Sequence, residues 1–239
     1  MQMNNFIYET PTKVYFGKDE ELKVGKLVAE YKPKKVLIHY GGKSAKESGL
    51  LDRVKKCLED EKIAYVELGG VVANPQLSLV RKGIKLCLDE GVDFVLAVGG
   101  GSVMDSAKDI ANGVANPEVD VWDFSLKKCE PAKTLNKGAI LTLAAAGSEM
   151  SSSCVITNSE TGQKMGYGSS LNRMNFAIEN PELTYTVSPY QTACGAVDIA
   201  MHTIERYFSG AICGSSICKN RVEYTKYALC NALTDCLRQ

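Results

Sequence analysis

Val95-Leu96-Ala97-Val98-Gly99-Gly100-Gly101-Ser102-Val103-Met104-Asp105-Ser106-Ala107-Lys108 carries more structural information than any other run in this chain. The apolar start reads as a buried parallel strand, which empties into three glycines and then into a helix that opens at Ser102. Missing side chains let a ligand approach the backbone. The helix start offers unpaired N–H groups and a positive dipole end to an anion. The spacing differs from the G-x-G-x-x-G dinucleotide fingerprint, because Met104 stands where its third glycine would fall. The run therefore reads either as a phosphate cradle or as a tight strand-to-helix turn.

Outward from this run, strand and helix patterns alternate. Phe6–Tyr8 and Lys13–Phe16 read as short strands around Pro11, and 20–30 as an amphipathic helix. Strands at 35–39, 64–68 and 94–98 are followed by helices at 50–59, 76–90 and 103–114. The 50–59 helix carries Leu51, Val54 and Leu58 on one face, and the 76–90 helix Leu79, Ile84 and Leu88. Such alternation predicts an α/β fold: right-handed βαβ units, a parallel sheet with helices on both faces, and binding at the carboxyl ends of the strands. After Trp122 come a strand at 137–142, a hairpin of 152–157 with 164–167, and a last strand at 175–178. From Pro189 the period is helical, with one long helix over 191–208. A boundary near Pro181 therefore divides 1–180 from 181–239.

Composition removes several function classes. Lys+Arg and Asp+Glu both number 28, so no basic excess points to nucleic acid or an anionic membrane surface. The apolar runs are too short to span a bilayer, and the amino terminus has no charged-then-apolar leader pattern, so a cytoplasmic protein is expected. Of nine cysteines, Cys57, Cys87, Cys129, Cys154 and Cys194 are scattered, as expected for reduced thiols. Cys213, Cys218, Cys230 and Cys236 crowd together, but their gaps miss the Cys-x2-Cys zinc spacing and read as free thiols.

Two further constellations bear on chemistry. Gly42-Lys43-Ser44 has the end of a P-loop but Leu37 where its first glycine belongs, which argues against ATP hydrolysis. Gly41-Gly42 still permits close backbone approach after a strand. No Asp or Glu stands at the tip His39-Tyr40-Gly41-Gly42 to bind a ribose diol, which leans toward NADP over NAD. Asp198 and His202, four apart on the long helix with Glu205 one turn on, read either as two metal ligands or as a local hydrogen-bonded pair.

Taken together, Gly41-Gly42-x-Ser44, Gly99-Gly100-Gly101-Ser102-x-x-Asp105, Thr142 with Ala146-Gly147-Ser148-Glu149, Asn180-Pro181-x-Leu183-Thr184 and Gly195-x-x-Asp198-x-x-x-His202-x-x-Glu205 resemble the iron-containing (group III) alcohol dehydrogenases. Within them the likeness is to the NADPH-dependent butanol dehydrogenase and aldehyde reductase branch. It runs from about Phe6 to Phe208. The resemblance implies a Rossmann-like, dehydroquinate synthase-like sheet domain followed by the start of an all-helical domain. It also implies an NADP(H) cofactor, with NAD as the alternative, and Fe²⁺, with Zn²⁺ also accepted by such ligands. By the same resemblance Gly41, Gly42 and Ser44 surround the adenosine 2′ region, and Asn74 borders the groove. Gly99, Gly100, Gly101 and Ser102 hold the pyrophosphate, with Asp105 and Thr142 nearby. Lys164 stands on the hairpin beside the cofactor, and Asp198 and His202 match two of four metal ligands.

The implied substrate is a primary alcohol or aldehyde such as butanol or butyraldehyde, and a homodimer is the implied assembly. The sequence departs from the family pattern at Ala146 and Ala73, and it has no histidine after His202. The expectation is a truncated or frame-shifted reading with little dehydrogenase activity. Other superfamily chemistry stays open, as in dehydroquinate synthases, glycerol-phosphate dehydrogenases and glycerol dehydrogenases, and so does a non-catalytic dinucleotide-binding remnant.

Overall fold

The computed structural model describes residues 10–42 and 44–209. The expected strand Phe6–Tyr8, Lys43 of the first glycine turn, the side chain of Glu205 and the cysteine-dense stretch 210–239 lie outside the described residues. Thr10–Thr186 forms one compact unit; a second contains the helix Pro189–Ser209.

The first unit is built on strands β1 (Lys13–Phe16), β2 (Lys35–Tyr40), β3 (Ala64–Leu68), β4 (Phe94–Gly99), β5 (Asn136–Leu141), β6 (Ser153–Asn158), β7 (Gln163–Gly168) and β8 (Phe176–Glu179). Its helices are α1 (Val24–Ala29), α2 (Ser44–Glu47), α3 (Leu50–Asp60), α4 (Leu77–Glu90), α5 (Gly101–Ala115) and α6 (Trp122–Ser125). Six strands make an all-parallel sheet in the order β1-β8-β5-β4-β2-β3, and β6 and β7 form a separate antiparallel hairpin. After β2 the chain steps outward to β3, then returns to place β4 on the other side of β2. The winding thus reverses between β2 and β4, and the carboxyl ends of those two strands flank the crevice where such sheets bind ligands.

Central strands are mainly apolar because both faces are covered, with His39 of β2 and Lys137 of β5 buried among them. Val36, Ile38, Phe94, Leu96, Val98, Ile140, Phe176 and Ile178 face α1 and α3, with Tyr31, Phe94 and Phe176 clustering their rings. Leu37, Val95, Ala97 and Ala139 face α4, α5 and the hairpin. Leu51, Val54 and Leu58 are buried, as the periodicity predicts.

Three local readings change. Residues 20–30 form a 3₁₀ turn, Glu20–Lys23, before the short α1, not one amphipathic helix. Glu21 is buried there, tied to Asn180 Nδ2 at 2.8 Å. On α4, Leu79 and Ile84 pack against the core as expected, but the fully buried residues are Leu77, Val80, Gly83 and Cys87, and Leu88 is exposed. The reason is close packing on α5: a Cβ on Gly83 would stand 2.5 Å from Ile110 Cδ1, and one on Gly113 2.2 Å from Ile84 Cδ1. Finally, α5 starts at Gly101, not at the serine. Gly100 is its extended N-cap, whose carbonyl accepts from the Val103 and Met104 N–H groups.

Candidate functional site

The glycine turn closes β4 at the crevice. A Cβ on Gly99 would lie 2.6 Å from Val103 Cγ2, so only glycine lets the strand run straight into α5. The first N–H groups of α5, on Gly101 and Ser102, have no acceptor within the helix. Together with the positive end of a 15-residue helix, they face the carboxyl side of the sheet. Gly41 and Gly42 stand across the switch point, after β2; Gly42 has nothing within 4 Å of a would-be Cβ. Ser44 opens α2 beside them. Tyr40, the last residue of β2, lies buried against Gly69, where a Cβ would be 2.3 Å from its ring. No carboxylate follows it at Gly41 or Gly42.

A second wall comes from the segment after β5. The Thr142 N–H donates to the Gly99 carbonyl at 3.1 Å, which binds that segment to the glycine turn. Leu143 lies 3.4 Å from a would-be Cβ on Gly100, and Ser148 lies 3.6 Å from one on Gly101. Asp105, one turn into α5, accepts the Ser148 hydroxyl at 2.6 Å and the Val155 N–H at 3.2 Å. Lys108 completes the group and was not anticipated. Its side chain has no exposed surface, and Nζ reaches Ser148 Oγ at 2.8 Å, the Ser153 carbonyl at 2.7 Å and Asp105 Oδ1 at 3.3 Å. Glu149 next door is pushed above the usual carboxylate range by burial. Glu179, at the end of β8, is raised too, by burial and then by the charge of Glu149.

Asn74 and Lys164 meet each other: Lys164 Nζ donates to Asn74 Oδ1 at 2.8 Å. Asn74 sits at φ 58°, a left-handed conformation that asparagine tolerates better than most residues. The Thr157 N–H donates to the Pro75 carbonyl at 2.9 Å. Hairpin and β3–α4 loop are therefore joined at both backbone and side-chain level.

On the helix α7 (Pro189–Ser209), His202 Nε2 and Asp198 Oδ1 stand 3.6 Å apart, and both side chains are about half-exposed. An oxygen and a nitrogen donor on one helix face suit a divalent first-row metal, though they make half a tetrahedral set. Among the described residues no group of three or more His, Cys, Asp or Glu gathers to complete one. The other histidine, His39, is fully buried in β2 and committed to Leu68 and Ser106. The described cysteines are free thiols, and no described helix is long and apolar enough to cross a membrane.

The sequence profile of the family described as iron-containing alcohol dehydrogenase matches residues 11–181. A relative in Clostridium acetobutylicum, named NADH-dependent butanol dehydrogenase A, is 45% identical over 208 residues, 87% of this chain and 53% of that protein. The NADPH-dependent aldehyde reductase YqhD of Escherichia coli is 38% identical, over 86% of this chain and 52% of its own length. The crystal structure of NADH-dependent butanol dehydrogenase A from Thermotoga maritima superposes with a TM-score of 0.85 at 39% identity, covering 92% of this chain and 55% of that one. The chain thus spans about half the length of the relatives it matches.

Proposed function

This chain belongs to the iron-containing alcohol dehydrogenase family, and from that premise we propose that its Thr10–Thr186 unit binds a nicotinamide dinucleotide for exchange of hydride with a primary alcohol or aldehyde. The observation that carries the reading is the pairing of two glycine turns at the sheet's switch point, one of them at the start of α5. Gly99, Gly100, Gly101 and Ser102 would cradle the pyrophosphate with backbone N–H groups. Gly41, Gly42 and Ser44 would receive the adenosine ribose, and the lack of a carboxylate there leaves room for a 2′-phosphate, which favours NADP(H) while admitting NAD(H). Asp105, Thr142, Asn74 and Lys164 would border the groove, and the ammonium of Lys164 adds positive charge on the hairpin side.

Asp198 and His202 would provide two ligands to a divalent metal, Fe²⁺ by family and Zn²⁺ by donor chemistry. When bound, the two groups supply hydride exchange and Lewis-acid polarisation of the substrate oxygen. Of the two histidines in this sequence His39 is locked in the core, so His202 is the imidazole open to a metal. Dinucleotide binding is therefore the behaviour to test first in this unit. Titration of the folded chain with NADPH and NADH, followed by nicotinamide fluorescence, tests the proposal. Saturable enhancement is expected, tighter for NADPH, and a flat response to both would defeat it.

A further inference from the structure

We propose that Lys108 is a positioning residue: its buried ammonium holds the segment after β5 and the start of β6 against the first turns of α5, and so sets the second wall of the crevice. Its bearing on affinity rests on the dinucleotide reading above; its bearing on the wall does not. An ammonium with no exposed surface is costly to bury unless every proton finds an acceptor. Lys108 has three protons and three oxygens, and these belong to three separate segments: Asp105 on α5, Ser148 in the loop and the Ser153 carbonyl at the head of the hairpin. With all three donors committed, none is left for a ligand.

The ammonium also orients its neighbours. Because Ser148 Oγ receives a proton from Lys108, its own hydroxyl hydrogen points at Asp105 Oδ1, 2.6 Å away. Asp105 Oδ2 then takes the Val155 N–H. The chain Lys108–Ser148–Asp105–Val155 thus closes over the beginning of α5, with Ser148 against the position where Gly101 lacks a Cβ. A methionine at 108 fills the same volume and supplies no donor. It leaves the Ser153 carbonyl unpaired and Ser148 free to turn away.

The test combines amide hydrogen exchange and NADPH titration on this chain carrying Lys108→Met, Ser148→Ala or both. In Lys108→Met the amides of 148–155 should exchange at least about tenfold faster, the loss of one charge-assisted hydrogen bond, while those of β4 and β5 keep their protection. The NADPH Kd should rise by a similar factor, and the double variant should bind no more weakly than Lys108→Met alone, because both act through one link. Should Lys108→Met fail to fold, Ser148→Ala carries the test, with the same localised loss of protection expected. Unchanged exchange over 148–155, uniform loss of protection across the sheet, or an unchanged Kd with a loosened wall would each overturn the proposal. Wild-type chain that binds neither NADPH nor NADH would defeat the dinucleotide reading, and exchange would still decide the role of Lys108.

Discussion

His39 has both ring nitrogens engaged inside the core, and its partners fix the tautomer. The Leu68 carbonyl can only accept, so Nδ1 carries the proton at 2.8 Å, and Nε2 receives the Ser106 hydroxyl, also at 2.8 Å. Burial pulls its pKa down to about 4, against the small upward pull of the Leu68 hydrogen bond. The unfolded chain takes up this proton near pH 6.5 and the folded chain does not. Stability is therefore full above that pH and drains as pH falls toward 4, by roughly 3 kcal/mol. Asp109 works in the other direction. Burial raises it to about 7, although the Tyr167 hydroxyl donates to Oδ1 at 2.7 Å. Its contribution is full below the ordinary carboxylate pKa and is lost as pH rises through 7. Between pH 4 and 6.5 the two slopes oppose, so wild type will look flatter than either group alone. His39→Asn, which keeps a donor for Leu68 but cannot titrate, separates them. In urea unfolding its deficit against wild type should shrink by about 3 kcal/mol between pH 7 and 4; a constant deficit would remove His39 as the cause. Neither role was readable from sequence, since a histidine in an apolar strand and an aspartate in a helix gain their burial from elements far along the chain.

Among elements, α1 and α3 make the tightest approach. A Cβ on Gly25 would stand 2.0 Å from the Cys57 carbonyl oxygen, and backbone cannot step aside as a side-chain tip can. Gly25→Ala gains about 1 kcal/mol of helix propensity. It should nonetheless destabilise the unit by about 2 kcal/mol net through overpacking, and equal or higher stability in chemical denaturation would refute that account. The same logic explains why a glycine joins the inward face of α4. Periodicity marks Leu79, Ile84 and Leu88 on α4; Leu79 and Ile84 do pack against the core, Leu88 is exposed, and Gly83 and Cys87 lie inward where the helices meet at a missing side chain. Hydrophobic size was a good guide to the central strands and to α3, and a poor one at a glycine-mediated contact. At the start of α5, Ser102→Asp offers a clean separation. A carboxylate in the first turn stabilises the helix by about 0.5 kcal/mol, while its charge opposes a pyrophosphate at the same N–H groups. A melting temperature at or above wild type with at least about tenfold weaker NADPH binding is expected. Unchanged affinity would move the phosphate elsewhere.

For the molecule as a whole, ligand linkage assigns function to parts. At 100 times its Kd, NADPH should stabilise the Thr10–Thr186 unit by about 2.7 kcal/mol, read as a raised unfolding midpoint. Asp198→Asn with His202→Gln should leave that gain intact while removing Zn²⁺ or Fe²⁺ binding; loss of the gain would mean the helix pair serves the dinucleotide directly. The parallel sheet and glycine turns were legible because buried strands and strand-to-helix turns leave local signatures. The wall built by Lys108, Ser148 and Asp105 was not, for its members are 40 and 43 residues apart along the chain and lysine is ordinarily a surface residue. One feature of the sheet also shapes how this chain comes into being. Among the described residues β1 pairs with β8 alone, so Lys13 waits for Phe176. During synthesis β5 presents a bare margin until some 160 residues separate β1 from its mate, and Tyr31 and Phe94 lack their third ring for as long. Released chains ending before Asn175 should therefore be cut by protease where chains that include β8 resist, and this late sealing leaves the growing polypeptide with an unpaired strand edge until then.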